Sequence, residues 1–176
     1  KGILPKAVPA RHCLRLINNH TSPVTLSQGR LLTDGQGREW RLMQTITLAA
    51  GEQRGDTINN KILAEQSTIR EVTYTPSVLE AFHNIKIRLD GDKHLASLAI
   101  QDNQLTPNVF NYTPKWMNVA AGDYGYTLRT DSKRQWYIEF GDSDRAGRTL
   151  TPSDTVKITL TETYGAVDAN RLREAV

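Results

Sequence analysis

The residue types that do chemistry are few in this chain: one cysteine, four histidines and an acidic loop, Asp142-Ser143-Asp144. A nucleophilic hydrolase needs its nucleophile beside a base that a third group orients. His12 directly precedes Cys13, but neighbours on a strand point to opposite faces, so Cys13 is expected to be a half-buried free thiol. There is no Gly-x-Ser-x-Gly elbow. His12, His20, His83 and His94 show no metal-ligand spacing and are expected at surface or turn positions. Asp142-Ser143-Asp144 followed by Gly147 imitates the opening of a calcium loop, but Ser153 stands where a bidentate Glu is needed. A polar hairpin loop accounts for the same acids. No carboxylate pair stands in a context that separates two pKa values, and no glycine-rich loop precedes a helix to cradle phosphate. The expectation is a chain that is not an enzyme, with no catalytic residue, no metal and no cofactor.

The aromatics cluster late, at Tyr124, Tyr126, Trp136, Tyr137 and Phe140. Flat rings of this kind stack on sugar faces. Trp136 and Phe140, however, share parity with Ile138, so all three point one way along a strand, into a core. Tyr137 has the opposite parity and faces outward.

Period-two alternation recurs along the chain and sets the elements that hold these residues. Val24 and Leu26 alternate with polar residues, as do Trp40 and Leu42, Ile46 and Leu48, and Val72 and Tyr74. Further runs are Ile85, Ile87 and Leu89, then Leu98 and Ile100, then Tyr124, Tyr126 and Leu128. Trp136-Ile138-Phe140 and Val156-Ile158-Leu160 are the clearest. Such alternation gives each strand one apolar and one polar face, as in antiparallel sheets. Asp34-Gly35, Asp90-Gly91, Gly122-Asp123 and Gly141-Asp142 supply turns between runs. Asp90-Gly91 reads as a tight hairpin and Asp34-Gly35-Gln36-Gly37 as a longer one. Residues 51–66 lack a clear period and read as a loop or connecting arm. Ser77 to Ala81 reads as a single helical turn, and Asp168 as the N-cap of a helix start.

Composition bounds the rest. Hydrophobic residues make up 38% and charged residues 23%, which fits a globular chain and not a disordered one. A single cysteine excludes an internal disulfide and points mildly to a reducing compartment. No apolar run reaches the roughly 20 residues that span a bilayer, so membrane insertion is not expected. The net charge of +3 is spread out, without the basic stripe and interleaved aromatics of a nucleic-acid surface. The chain opens at Lys1 and stops at Val176 within a helix-like run, as an excerpt of a longer polypeptide would.

The stretch Trp136-Tyr137-Ile138-Glu139-Phe140-Gly141-Asp142 leads to a loop reaching Gly147-Arg148-Thr149-Leu150-Thr151-Pro152. A second strand, Thr155 to Thr161, then ends near Tyr164-Gly165. This resembles the strand, Phe-Gly-Asp, glycine-containing loop and strand of baseplate J-like wedge proteins, found in contractile phage tails and related injection machines. Upstream, Val24-Thr25-Leu26-Ser27-Gln28-Gly29, Trp40 and Thr45-Ile46-Thr47-Leu48-Ala49-Ala50-Gly51 are similar to the family's paired segments, in the same order. The two matches cover about half of the chain. Ser143 stands where the family usually has a second glycine, and the glycine-rich tail is replaced by Gly165-Ala166-Val167 and the helix start.

The expected fold is all-β, an antiparallel sandwich-like domain with a short C-terminal helix start. Its parts are an N-terminal arm at 1–10, a first lobe at 11–76, a second at 77–165 and the helix start at 166–176. The resemblance implies a structural subunit of a tail baseplate wedge, located in the virion tail and assembled in the host cytoplasm. Its partners would be other wedge proteins, with a possible homo-oligomer of the parent and no nucleic acid. Candidate contact residues are Tyr137, Glu139, Arg145, Arg148, Lys157 and Thr159. The alternative is a carbohydrate- or receptor-binding β-sandwich module, and behind it a glycosidase.

Overall fold

The computed structural model describes residues 6–55, 58–89, 91, 93–133 and 135–164. It is all-β, with strands joined almost entirely antiparallel; the only helical element among the described residues is a 3-10 turn at Ile58–Asn60. The chain divides into two compact units. One holds Ala7–Thr68 and takes in residues 162–164; the other holds Lys6 and Ile69–Thr161. The division falls at Thr68–Ile69, ahead of the Pro76 boundary expected from the sequence, because the strand from Thr68 to Tyr74 joins the sheet of the second unit.

The first unit contains β1 (Arg11–Leu14), β2 (Leu16–Ile17), β3 (Val24–Leu26), β4 (Leu31–Thr33), β5 (Glu39–Leu42), β6 (Ile46–Leu48), β7 (Gln53–Arg54) and β8 (Ile62–Glu65). A four-stranded sheet runs β1-β8-β5-β4, while β2 pairs β7 and β3 pairs β6. Trp40 and Leu42, alternate residues of β5, are fully buried with Leu14, Ile46, Leu48, Ile62 and Ala64. Burial of each large member stabilises the unit by about 1.5–3 kcal/mol. Residues 51–66 are not a connecting arm: β8 is a central strand, and its Ile62 and Ala64 face the core. A two-residue alternation closing on alanine is too short and too weak to stand out in the sequence.

The β4–β5 hairpin forms where Asp34-Gly35 predicts it, with Leu32 opposite Trp40. Asp34 is buried and accepts hydrogen bonds from the Trp40 indole Nε1 (3.0 Å), the Arg38 guanidinium (2.9 Å) and the backbone N–H groups of Gln36 and Arg38. Gln66, also fully buried, is the other polar tie. Its N–H donates to the Ala10 carbonyl, its Nε2 to the Glu39 carbonyl, and its Oε1 accepts from the Tyr164 N–H. The Thr163 hydroxyl lies 2.6 Å from both oxygens of Gln66. Residues far apart in the chain are thereby fixed to one amide.

The sheet of the second unit is formed by β9 (Thr68–Tyr74), β10 (Asn84–Ile87), β11 (His94–Asp102), β12 (Val109–Tyr112), β13 (Gly125–Thr130), β14 (Trp136–Phe140) and β15 (Val156–Thr163), the end residues Thr68 and 162–163 being grouped with the first unit. These form one seven-stranded sheet in the order β10-β14-β13-β12-β11-β15-β9, with β12 and β13 parallel. Trp136, Ile138 and Phe140 face the core as their parity predicts, and so do Val156, Ile158 and Leu160. Phe110 packs edge-on against Tyr124 and Phe140, at centroid distances of 5.2 and 5.5 Å.

Three local expectations change. The strands flanking residues 90–91 do not form a hairpin: β10 pairs β14, and β11 lies between β12 and β15. The alternation on both sides was real, but each strand found its partner elsewhere. Ser77 to Ala81 makes bends and no helical turn. Cys13 is exposed, not half-buried, because its neighbour Leu14 takes the core-facing parity of β1. The helix start from Asp168 lies outside the described residues.

Burial opposes ionisation of Asp34, but the bonds from Trp40, from the backbone of Arg38 and Gln36 and from the Arg38 guanidinium prevail and hold its pKa below the ordinary value. A depressed folded-state pKa adds stability above the unfolded value and loses it as pH falls. The urea midpoint should therefore drop on acidification below about pH 4, and Asp34→Asn should flatten that profile. Asp34→Ala should cost about 2–4 kcal/mol in a urea melt at neutral pH, because it orphans the buried indole N–H and the Arg38 charge.

Candidate assembly surface

The Phe-Gly-Asp turn after β14 is built by close backbone approach. A side chain at Gly141 would place its Cβ 2.4 Å from the Ala146 carbonyl oxygen and 2.8 Å from the Arg148 nitrogen. Only glycine fits there. Asp142 and Ala146 exchange backbone bonds in both directions, at 2.8 and 2.9 Å, and Arg145 N–H donates to the Asp142 carbonyl. The Asp142 carboxylate accepts from the Asp144 N–H at 3.0 Å, a local turn role. Ser143 and Thr149 each donate a backbone N–H to the other's hydroxyl, at 2.8 and 2.9 Å. Among the described residues no cluster of three potential metal ligands occurs.

The loop is also fixed from outside. Gly147 adopts φ 77° and bridges the turn at 120–122, donating to the Ala120 carbonyl and accepting from Gly122 N–H. The Trp116 ring lies against Gly147 and packs edge-on to Phe82 at 5.7 Å. Its indole N–H donates to Glu139 at 2.8 Å. Trp116 is the residue sequence reasoning missed. It sits in no alternating run, so only the tertiary fold reveals that it seals the turn.

The six candidate contact residues do not form one patch through the sheet. Tyr137 and Glu139 lie on β14 and Lys157 and Thr159 on β15, with β13, β12 and β11 between them in strand order. Glu139 is committed to Trp116, and Lys157 stands 3.6 Å from Glu71. The Tyr137 hydroxyl donates to Asp131 at 3.3 Å, and the Arg129 guanidinium stands 5.4 Å from its ring centroid. Thr159 is half-buried. Arg148 lies 5.0 Å over the Tyr124 ring and 3.5 Å from Asp154. Arg145 projects furthest, its side chain 78% exposed and 3.6 Å from Asp142.

A shallow groove of about 360 Å³ runs along β12 and β13, lined by Asn108, Asn111, Tyr112, Asn118, Asp123 and Tyr124 among others. Both of its tyrosine rings carry a cation, Lys6 5.2 Å over Tyr112 and Arg148 over Tyr124. Elsewhere, His83 is buried with its Nε2 2.6 Å from the Tyr74 hydroxyl and its Nδ1 3.5 Å from Glu80. The described residues thus present ion pairs, ring contacts and clamped turns.

No protein-family model matches the chain, and no curated protein matches it.

Gly141→Ala should destabilise the protein by about 1–3 kcal/mol by forcing the turn open. Chemical denaturation measures that loss. Thr149→Ala, which removes one of two reciprocal hydroxyl ties at the surface, should cost about 1 kcal/mol or less.

Proposed function

We propose that this chain is a structural component of a phage-type tail baseplate wedge that joins neighbouring wedge proteins. It would act in the virion tail, assembled in the host cytoplasm, and would carry no reaction. The observation that carries this reading is the rigid Phe-Gly-Asp turn, clamped by Gly141, Gly147 and Trp116, holding an exposed Arg145 at its tip. That rigidity lowers the entropy lost when a contact forms, and arginine is enriched at protein interfaces. The resemblance of residues 136–164 and 24–51 to the wedge family supports the same reading. The transmission of a conformational change on tail contraction belongs to it.

A second reading, a carbohydrate- or receptor-binding module, draws on the groove of asparagines and tyrosines along β12 and β13. Its weakness is that cations already occupy the tyrosine faces on which a sugar would stack.

Affinity purification of the tagged protein from cells producing the particle, followed by mass spectrometry, tests the assembly reading. Tail components should be recovered, and Arg145→Glu should reduce their recovery severalfold without lowering the melting temperature. Recovery of no tail component, with binding to cell-surface glycan instead, would overturn it in favour of the second reading.

A further inference from the structure

The seven-stranded sheet curls around one core without closing. Its two edge strands, β9 and β10, stand at opposite ends of the strand order, yet side chains of both meet. Arg70 of β9 donates to the Arg88 carbonyl just beyond β10 at 2.5 Å, and Tyr74 of β9 meets His83 just before β10 at 2.6 Å. These two contacts place β9 and β10 side by side and running in opposite directions, bridged by side chains and not by a backbone ladder. At Arg88 the gap is spanned by an arginine side chain and not by a direct backbone N–H···O bond.

Between the bridges lies an apolar slot of about 260 Å³, floored by Ile87, Ile138, Ile158 and Leu160 and flanked by Val72 and Ile85. Val72, Tyr74, Ile85 and Leu89, all on or beside these edges, pack on the core while only partly buried. The charged residues lining the slot are Arg70, Lys86 and Arg88, all cationic. On the β10 side, Phe140 N–H donates to the His83 carbonyl, so the alternation of an antiparallel ladder turns the backbone groups of Lys86 toward the free edge. An edge with unpaired backbone groups beside an apolar floor is the geometry of strand addition.

We propose that the gap between β9 and β10 is a docking site for an extended acidic segment of a partner protein. The segment adds as a strand to the β10 edge, seats alternate apolar side chains on the slot and sets its carboxylates against Arg70, Lys86 and Arg88. The proposal rests on the assembly reading only for the partner's source; the chemistry of the occupant follows from the slot itself.

The test uses the full chain with a short synthetic peptide alternating Glu and Val, and a Lys and Val counterpart as control. The acidic peptide should bind in fluorescence anisotropy and slow hydrogen exchange at β10, while the basic one binds at least roughly tenfold more weakly. Lys86→Pro removes an outward edge N–H, which an edge strand tolerates. It should weaken acidic-peptide binding roughly tenfold or more at unchanged melting temperature. The Lys86→Glu/Arg88→Glu double variant, altering exposed side chains only, should do the same and serves if the proline variant does not fold. Equal binding of both peptides, no binding of the acidic one, or full binding by the double variant overturns the proposal. A concentration-dependent dimer of the wild-type chain lost in the double variant also overturns it, by making a second copy the occupant. Tail components recovered equally by wild-type and double-variant protein would sink the docking site and leave the assembly reading standing. Acidic-peptide binding with no tail component recovered would do the reverse.

Discussion

The second unit depends on one constraint: seven strands must bury a single apolar face by curling around it. Trp136, Ile138 and Phe140 on β14 meet Val156, Ile158 and Leu160 on β15 in that core, although three strands separate β14 from β15 in the sheet order. Curling also brings the edge strands toward each other. Because the sheet does not close, Val72 and Ile85 remain only partly covered and the backbone of β10 keeps a free edge. Protein edges of this kind are usually blunted by charge, and Arg70, Lys86 and Arg88 supply it here.

The first unit solves a different problem. Its strands are short and its core small, so buried polar groups tie distant segments together. Asp34 gathers four donors inside one hairpin. Gln66 reaches Ala10, Glu39, Thr163 and Tyr164. Glu65 is buried and pairs with Arg11 at 2.8 Å and Arg41 at 3.3 Å. Burial works against its charged form, yet the bonds from Arg11 and Ser67 and the nearby arginine charges keep its pKa low. Each such group is costly if left alone, so these ties specify one arrangement of the strands as much as they stabilise it.

Some polar side chains of the described residues hold local structure. Asp142 is an example, since its carboxylate closes a turn that a calcium-loop reading would have assigned to a cation. Glu139 is another, committed to the Trp116 indole.

The sequence by itself determined the all-β class and the inward parity of β5, β14 and β15, because period-two burial is a local property of the strand. It also determined the Asp34 hairpin and the turn at Gly141-Asp142, whose neighbours in space are near neighbours in the chain; that Gly141 is needed for close backbone approach, and not for a positive φ, came from the structure. Tertiary structure alone decided strand partnership. Residues 90–91 join two good strands that do not pair, and β8 became central through a register with Arg11 to Leu14 and with Arg41 and Leu42 that no local pattern encodes. The candidate contact residues were dispersed for the same reason, since chain proximity between β14 and β15 does not make them sheet neighbours. Trp116, Gln66 and the slot between β9 and β10 were invisible beforehand, because each exists only where segments remote in sequence are brought together by burial of a shared apolar face.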